Sequence, residues 1–361
     1  GDLVWEVVEA EAYGSPKVTS IGVYIGTYAG WIKCLNLVDG SRLWQTNIVG
    51  MIFSAISISD NIVYACEQTN DIYAFDAING RLKAIYPTVT NVFNLDVAFS
   101  EDYFYPNLEP YNTYGVVAFN KAQTSNTPTG VKIAVFDGST FSVWYDGTYV
   151  YYAYAEETDI FFRSGTPNAD GTITWLGAEE TITTTASSAE NPYVSVDTFG
   201  HIWISYTENT SSPTGINPFV VKSVYTDGTW TTTSVGFPYQ VSTDTGSWNT
   251  TVVPLTLGKV LVTYADNGQL FARVFNSTDP ILEWGVVNVG NQGVSVAVSG
   301  GYAYLSGDTS IYCFDAITGV AVWNYSVGAY IYSIPAISNG FIYFGAWNNN
   351  VYSLHADTGV L

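Results

Sequence analysis

The acidic residues grouped in the middle of the chain are the first candidates for catalysis. They are Glu156, Glu157, Asp159, Glu179 and Glu180. Paired carboxylates can act as general acid and base in the cleavage of glycosidic bonds, provided that they converge on the substrate. Adjacency in sequence does not establish convergence in space. The pattern therefore favours solvated acids in loops. The alternative is a carbohydrate-active hydrolase or lyase that uses acidic residues near a central channel.

The histidines do not point to catalysis or to a metal. The chain has only two, His201 and His355, and neither belongs to a His cluster or to a Ser-His-Asp arrangement with recognisable spacing. An Asp-x-Asp-x-Asp-Gly calcium loop is also absent from the sequence. We therefore expect no metal and no cofactor, and we assign no catalytic residue. The sequence favours a protein that is not an enzyme over one that is.

Two aromatic segments are candidates for binding, because stiff aromatic side chains bury a large area at little entropic cost. The first segment mixes aromatic residues with prolines. It is equally consistent with an interaction loop and with a lid that packs on the protein itself. The second opens a run of alternating aromatics, a pattern that also suits packing between neighbouring sheets. The candidate residues are Tyr103, Tyr105, Tyr111 and Tyr114 in the first segment and Trp144 and Tyr145 in the second.

The charge of the chain narrows the partners. There are 11 Lys and Arg against 32 Asp and Glu, giving a net charge of −21. A chain so poor in cations does not neutralise phosphates, so nucleic acid is not expected as a partner.

The sequence has no apolar stretch of the ~20 residues that span a membrane, so no membrane insertion is expected within it. It also lacks a signal peptide and starts at Gly1, from which we expect that a targeting segment has been removed.

The small polar residues suggest an extracellular or cell-surface location. Charged residues make up only 12% of the chain, so Thr, Ser, Asn, Tyr and Gly must cover most of the surface. Four glycosylation sequons begin at Asn209, Asn249, Asn276 and Asn324. Three cysteines, Cys34, Cys66 and Cys313, are expected to be small buried hydrophobes, with a Cys34–Cys66 disulfide as the alternative.

A repeated turn organises the elements that carry these residues. Most copies end a hydrophobic strand in Asp or Asn and continue to Gly, and most then reach a tryptophan. The turns recur at intervals of 39 to 57 residues, at Gly40, Gly80, Thr124, Gly171, Gly228, Pro280, Gly319 and Gly359. Asp and Asn bond the turn backbone, and Gly accepts the positive φ of the turn. We expect the tryptophan to pack back over the turn of its own hairpin.

Two further strands precede each turn, which makes four strands per repeat. Such a strand is Ile62 to Cys66, rich in β-branched and aromatic residues. A four-stranded repeat of this length is typical of β-propeller blades. The sequence predicts an all-β, eight-bladed propeller of antiparallel blades, with seven blades as the alternative. The strand around Trp5 is expected to complete the last blade, which would make residues 1–361 a single domain.

The segment Asp315 to Trp323, with the pattern Asp-Ala-x-Thr-Gly-x-x-x-Trp, resembles the repeat of the pyrroloquinoline-quinone-like (quinoprotein dehydrogenase-like) propellers. The match is good in blades 1, 2, 7 and 8, fair in blade 6 and poor in blades 3 to 5. The family resemblance implies an eight-bladed fold shared by dehydrogenases, assembly scaffolds and sensor ectodomains. A dehydrogenase of this family would need a vicinal cysteine pair and a calcium site, and the sequence has neither.

The middle blades resemble sialidase repeats instead. The stretch from Asn191 to Trp203 has their strand, turn, strand rhythm, and Ser242 to Trp248 is one residue short of an Asp-box. The sialidase likeness would imply an arginine triad, but the whole chain has four arginines: Arg42, Arg81, Arg163 and Arg273. The preferred hypothesis is a non-catalytic extracellular propeller that binds a partner protein, a glycan, or copies of itself.

Overall fold

A computed structural model of the chain describes most of the sequence. The described residues are 3–9, 14–48, 50–52, 56–66, 71–87, 97–99, 103–106, 117–120, 131–132, 140–156, 158–169, 172–184, 188–211, 214–242, 250–266, 269–276 and 296–357. Within these ranges the regular structure is β-strand throughout. They contain no helix long and apolar enough to cross a bilayer.

The strands follow the predicted repeat in the first half of the chain. Strand β1 is Leu3–Val8. Blade 1 holds β2 (Lys17–Val18), β3 (Val23–Gly26), β4 (Trp31–Leu35) and β5 (Arg42–Asn47). Blade 2 holds β6 (Ser57–Ser59), β7 (Ile62–Cys66), β8 (Asp71–Asp76) and β9 (Leu82–Pro87). Blade 3 holds β10 (Val97–Phe99), β11 (Tyr103–Pro106), β12 (Val117–Asn120) and β13 (Val131–Lys132). Blade 4 holds β14 (Thr140–Tyr145), β15 (Val150–Glu156), β16 (Asp159–Pro167), β17 (Ile173–Trp175) and β18 (Glu180–Thr184).

The second half continues the pattern. Blade 5 holds β19 (Ala189–Val196), β20 (Ile202–Ser211), β21 (Thr214–Lys222) and β22 (Tyr239–Gln240). Blade 6 holds β23 (Thr250–Pro254), β24 (Lys259–Asp266) and β25 (Gln269–Asn276). Blade 7 holds β26 (Val296–Ser299), β27 (Tyr302–Gly307), β28 (Ser310–Asp315) and β29 (Ala321–Ser326). Blade 8 holds β30 (Ala336–Ser338), β31 (Phe341–Gly345) and β32 (Asn350–His355), together with β1.

The described strands form eight antiparallel sheets, in agreement with the eight-bladed prediction. Seven of these sheets have four strands or more, and the sheet of blade 6 has three described strands. In blade 4, β17 and β18 both pair with β16, at its opposite ends, so that together they serve as one interrupted outer strand. The fifth strand therefore does not add a blade.

The blades are arranged around a centre lined by their first strands. Contacts join the first strands of neighbouring blades, namely β10 with β14, β14 with β19, β19 with β23, β26 with β30, and β30 with β2. The hydrophobic core is divided among the interfaces between blades, since each buried cluster combines side chains from two neighbours. The cluster between blades 4 and 5, for example, contains Phe162, Ile204 and Trp230.

The predicted closure of the last blade is confirmed. Strand β1 pairs antiparallel with β32, with Glu6 opposite Tyr352 and Val7 opposite Val351. A buried cluster that includes Trp5 and Tyr343 from blade 8 and Val23 from blade 1 joins these two blades. The interpretation of residues 1–361 as one domain stays a prediction.

The repeated turns form for the predicted reason. The Oδ1 atom of Asp315 accepts hydrogen bonds from the backbone N–H of Ile317 at 3.0 Å and of Thr318 at 2.7 Å. Gly40 and Gly80 have φ angles of +70° and +72°, which L-amino acids with side chains adopt at a cost. A short acceptor and a residue without Cβ are therefore the two requirements of the turn.

The position of the repeat tryptophan differs from the prediction. Its ring packs over the turn of the next blade, not over the turn of its own hairpin. A Cβ at Gly80 in blade 2 would lie 2.5 Å from the ring of Trp44 in blade 1, and a Cβ at Gly40 would lie 2.8 Å from the ring of Trp5. The expectation was wrong because the outer strand of one blade lies beside the turn between the third and fourth strands of the next blade, a long-range contact that spacing does not reveal.

The middle blades replace this joint with other contacts. A Cβ at Gly228 in blade 5 would lie 2.8 Å from the ring of Tyr149 in blade 4, so a tyrosine takes the place of the tryptophan. Trp175 instead stacks against the Arg163 guanidinium, 4.3 Å from the ring centroid. Trp230 is buried and its ring centroid lies 5.6 Å from that of Phe162. The repeat motif fades in sequence where the joint changes.

The cysteines are buried thiols, as the preferred interpretation expected. Burial raises the pKa of the Cys34 thiol to about 11 and that of the Cys313 thiol to about 12. Since the thiolate is the reactive form, these side chains serve as packing groups at neutral pH.

Candidate functional site

The antiparallel order of each blade divides its loops between two ends of the ring. Connections between the second and third strands share one end with the connections between consecutive blades, and we call this end the connection face. Hairpin turns between the first and second strands, and between the third and fourth, lie on the opposite turn face. Loops of a rigid propeller are the natural place for recognition.

Three exposed aromatic side chains meet on the connection face of blade 8. Tyr330 and Tyr332 lie in the link between blades 7 and 8, and Trp347 lies in the turn between β31 and β32. The ring centroids are 6.0 Å apart for the two tyrosines, 6.4 Å for Tyr330 and Trp347, and 5.1 Å for Tyr332 and Trp347. Their exposed fractions are 48%, 36% and 53% in sequence order. We call these three residues the aromatic cluster.

The link that carries the tyrosines is extended and anchored from below. Tyr330, Tyr332 and Ile334 are exposed, whereas the intervening Ile331 and Ser333 are buried, the alternation typical of an extended segment. The buried Ser333 hydroxyl accepts a hydrogen bond from the N–H of Gly345 and donates one to its carbonyl oxygen, each at 3.1 Å. Burial of every second residue fixes the outward direction of the tyrosines.

Backbone hydrogen bonds hold the two loops against each other. The N–H of Trp347 donates to the carbonyl of Tyr330 at 2.9 Å, and the N–H of Ile331 donates to the carbonyl of Asp308 at 2.9 Å. The N–H of Ile334 donates to the Ser15 hydroxyl at 2.8 Å, so the link also contacts the connection between blades 8 and 1. The aromatic cluster is thus presented by a fixed scaffold.

Charged residues surround this scaffold. The N–H of Glu9 donates to the carbonyl of Asn349 at 2.7 Å, and the Asn350 amide donates to the Glu6 carboxylate. Glu9 also forms a buried ion pair with Lys33, which joins the end of β1 to blade 1. Glu9 and Lys33 thus neutralise each other, and the Glu6 carboxylate has no cationic partner among the described residues.

The aromatic residues singled out from sequence lie elsewhere. Tyr103 and Tyr105 belong to β11, and Tyr111 and Tyr114 lie outside the described residues. Trp144 is half-buried and packs against the core between blades 4 and 5. The Tyr145 hydroxyl donates to the carbonyl of Gly147 at 2.9 Å on the turn face. Binding by these residues stays a prediction, and the structure does not bring them to the aromatic cluster.

The candidate acids are spread along blade 4. Glu156 and Asp159 face each other across the hairpin that joins β15 to β16. Glu180 belongs to β18 at the outer edge, Glu179 precedes it, and Glu157 lies outside the described residues. The innermost strand of this blade is β14, which carries none of these acids. The placement therefore separates these described acids from the centre of the ring.

The histidines occupy structural positions. The buried Asp197 carboxylate accepts hydrogen bonds from the N–H of His201 at 3.0 Å and from the Trp203 indole at 2.9 Å. Burial lowers the pKa of His201, an effect that the nearby Asp197 carboxylate only partly opposes. His355 packs on the ring of Phe341, with centroids 4.8 Å apart. In the described part of the chain no three His, Cys, Asp or Glu residues group to hold a metal ion.

The sequons differ in accessibility. Asn324 in β29 and Asn209 in β20 are exposed, and Asn276 at the end of β25 is half-buried. Asn249 lies outside the described residues. Glycosylation at the exposed positions stays a prediction.

A second exposed apolar group lies on the turn face of blades 5 and 6. Phe199 and Leu257 sit at the tips of neighbouring hairpins, which the N–H of Gly258 connects by donating to the Thr198 hydroxyl at 2.7 Å. Leu257 is 70% exposed and has a φ of +59°. A bulky side chain in this region is uncommon because its Cβ crowds the backbone.

Comparison with known proteins supports the fold and the repeat. Residues 257–361 match the model of a PQQ-repeat family described as outer membrane protein assembly factor BamB. The PQQ-like repeat is confirmed. No curated protein matches the chain.

Two solved structures share the architecture across the ring. The structure of BamB from Moraxella catarrhalis has a TM-score of 0.68 at 12% identity and covers 98% of this chain and 99% of its own. The crystal structure of the computationally designed protein Ika8 has a TM-score of 0.65 at 11% identity, with coverage of 98% and 100%. At such identities the similarity establishes the fold. The sialidase likeness of the middle blades stays a prediction.

The sequence contained one signal for the aromatic cluster. The stretch from Tyr330 to Ile334 alternates aromatic, apolar and small residues with a period of two. In a chain with 28 tyrosines this alternation is common, and only the structure distinguishes the exposed tyrosines from those packed between blades.

Proposed function

We propose that this protein is a non-catalytic binding or assembly scaffold at the cell surface or outside the cell, and that its connection face binds a partner protein. The aromatic cluster of Tyr330, Tyr332 and Trp347 is the observation that carries this proposal. Tyrosine and tryptophan are enriched among the residues that dominate binding energy at protein interfaces. They are placed here at an exposed site on the connection face.

The anchoring of the aromatic cluster supports a binding role. Binding costs less free energy when side chains are already held near their bound arrangement. Ile331 and Ser333 are buried below the tyrosines, and Trp347 is bonded through its backbone to Tyr330. A partner would therefore meet a preformed surface.

The comparisons support a scaffold of this kind. BamB is described as an outer membrane protein assembly factor, and its structure resembles this chain along almost its full length. The polar, uncharged composition and the exposed sequons at Asn209 and Asn324 support an extracellular or cell-surface location. A glycan or a second copy of the chain remains an alternative occupant of the connection face.

Site-specific photocrosslinking tests the proposal in cells that make the protein. A photoreactive phenylalanine analogue is placed at Tyr332, and a matched control carries it at Tyr225, which is also exposed but lies on the turn face. We expect a defined protein adduct from position 332 that Trp347→Ala removes, and none of the same mass from position 225. Identical adducts from both positions, or none from position 332, would contradict the proposal.

The carbohydrate-active alternative has its own test. The described acids of blade 4 are converted to amides together, and polysaccharide turnover is compared with that of the wild type. No turnover by the wild type is expected. Turnover that the amide variant loses would favour the enzyme.

A further inference from the structure

We infer that the aromatic cluster receives basic side chains, arginine or lysine, from an extended segment of the partner protein. The inference rests on the proposed function and names the chemistry of the partner at this site. Three ring systems in mutual contact, acidic surroundings and the strong negative charge of the chain all favour a cationic partner.

The rings supply the first part of the recognition. A guanidinium or ammonium group within about 6 Å of an aromatic face is attracted by the ring quadrupole, and tryptophan is the strongest of the aromatic acceptors. Tyr330 and Trp347 are 48% and 53% exposed, which leaves part of each residue open to such a group. The chain uses the same pairing internally, since the Arg163 guanidinium lies 4.3 Å from the ring centroid of Trp175.

The charges supply the second part. Three acidic residues contact the two loops or their immediate neighbours: Asp308 and Glu9 through their backbones, and Glu6 through its carboxylate, which accepts from the Asn350 amide. The Lys33 ammonium is also near, but it is paired with Glu9 in a buried ion pair and leaves the other two carboxylates uncompensated. One Oδ1 atom of Asp308 is buried without a hydrogen-bond partner among the described residues. A basic group at the edge of the aromatic cluster would supply a positive charge near these carboxylates.

The overall charge argues against a second copy of the chain as the occupant. Two chains of net charge −21 repel each other at low ionic strength, whereas a basic segment is attracted over about a Debye length of 8–10 Å. A glycan would stack on the same rings and donate hydroxyl hydrogen bonds to the carboxylates, but an uncharged sugar gains no attraction from the net charge of the chain. The combination of rings and acids is thus matched best by a basic peptide.

Peptide binding to the purified full chain tests the inference. The probe is a ten-residue peptide that alternates arginine and glycine, and its control replaces each arginine with citrulline, which keeps the shape and removes the charge. Affinity is measured by calorimetry at about 50 mM and about 500 mM NaCl, since the attraction is screened by salt. We expect the citrulline peptide to bind at least about tenfold more weakly, and the arginine peptide to weaken at high salt.

Matched variants distinguish the contribution of the aromatic rings from the attraction exerted by the net charge of the chain. Trp347→Leu and Tyr330→Leu are expected to weaken arginine-peptide binding about three- to tenfold, which corresponds to the loss of one cation–π contact. Asp308→Asn should weaken it less and should reduce the salt dependence. Tyr225→Leu removes an exposed tyrosine from the turn face and should leave the affinity unchanged. Circular dichroism and thermal unfolding confirm that each variant is folded.

Four results would overturn the inference. Equal binding of the two peptides would show that charge is not recognised, and full binding by Trp347→Leu would show that only the net charge of the chain acts. In a third outcome the wild type binds a glycan array but not the arginine peptide, and the Trp347→Leu variant loses the glycan binding. That outcome would identify a sugar site instead. If the photocrosslink at position 332 captures a protein while the arginine peptide fails to bind, the proposed function stands and the cationic inference fails.

Discussion

The indole N–H of Trp5 donates a hydrogen bond of 3.0 Å to the carbonyl oxygen of Leu37, which lies in the turn of the next blade. The same bond joins Trp44 to Ala77 at 2.9 Å and Trp323 to Ala356 at 3.1 Å. Each acceptor follows the first residue of its turn by one position, and that first residue is Asn36, Asp76 or His355. The closure between blades 8 and 1 is therefore built like the joints inside the ring.

Trp5→Phe should destabilise the fold by about 1 kcal/mol, because the ring remains but the carbonyl of Leu37 loses its donor. Trp44→Phe is the matched substitution at an internal joint and should cost a similar amount. Equilibrium unfolding in urea measures both. A large effect at Trp44 with none at Trp5 would show that the closing joint contributes no stability.

Deletion of residues 1–8 removes β1 and leaves β32 as an unpaired edge. Exposed edges of this kind pair with other chains, so the truncated protein should melt at lower temperature and aggregate. Deletion of residues 1–2 alone is the control and should behave like the full chain. Light scattering during a thermal ramp records both effects, and equal melting of the two truncations would exclude a role for β1 in stability.

Gly80→Ala tests the contact between a turn and the neighbouring tryptophan. The new Cβ would meet the Trp44 ring at 2.5 Å, and the residue has a φ of +72°. Gly340→Ala has a similar φ of +80° but open space around the Cβ. The cost at Gly340 should be about 1–2 kcal/mol from backbone strain alone, and Gly80→Ala should exceed it by about 1–3 kcal/mol from overpacking. Equal free energies of unfolding for the two variants would contradict the interblade contact.

Leu257→Asn should stabilise the protein by up to about 1 kcal/mol. Leu257 and Gly258 take φ angles of +59° and +69° in a hairpin turn, and Asn339 and Gly340 take +52° and +80° in the equivalent turn of blade 8. Asparagine tolerates this region better than leucine does. The reverse substitution, Asn339→Leu, should be destabilising by a comparable amount. Chemical denaturation measures both changes, and a loss of stability in Leu257→Asn would mean that the exposed leucine side chain makes a stabilising contact.

Removal of one partner of the Glu9–Lys33 pair should be costly, because the other charge would remain buried and unpaired. Glu9→Gln is expected to lose about 3–5 kcal/mol, whereas the double variant Glu9→Leu and Lys33→Met should lose much less. A double-mutant cycle gives the coupling between the two residues. Additive effects of the single substitutions would show that the pair does not act as a unit.

The fold was readable from the sequence because its signals are local. A turn acid, a glycine with positive φ and a strand of β-branched residues each act within a few positions, as the hydrogen bonds of Asp315 and the φ of Gly40 show. The partner of Trp44 was not readable, since Gly80 and Ala77 are more than thirty positions away and belong to another sheet.

The candidate site was harder to predict from the sequence than the fold, for a physical reason. Tyrosines that pack between blades and tyrosines that face solvent obey the same period of two, and sequence does not say which face of an extended segment is covered. Tyr151 and Tyr332 both lie in alternating stretches, yet the first is buried and the second exposed. The difference comes from the neighbouring blades, which a local pattern does not contain.

The tryptophan bonds described above all run in one sense, from each blade to the blade that follows it. A blade in isolation would lack an acceptor for its own indole and a ring to cover its own glycine. Where this joint recurs, the unit that carries stability is the boundary between two blades. Copying a blade beside itself would reproduce a complete boundary, so the repeat gives a direct route by which such rings could gain or lose blades while each interface keeps its chemistry.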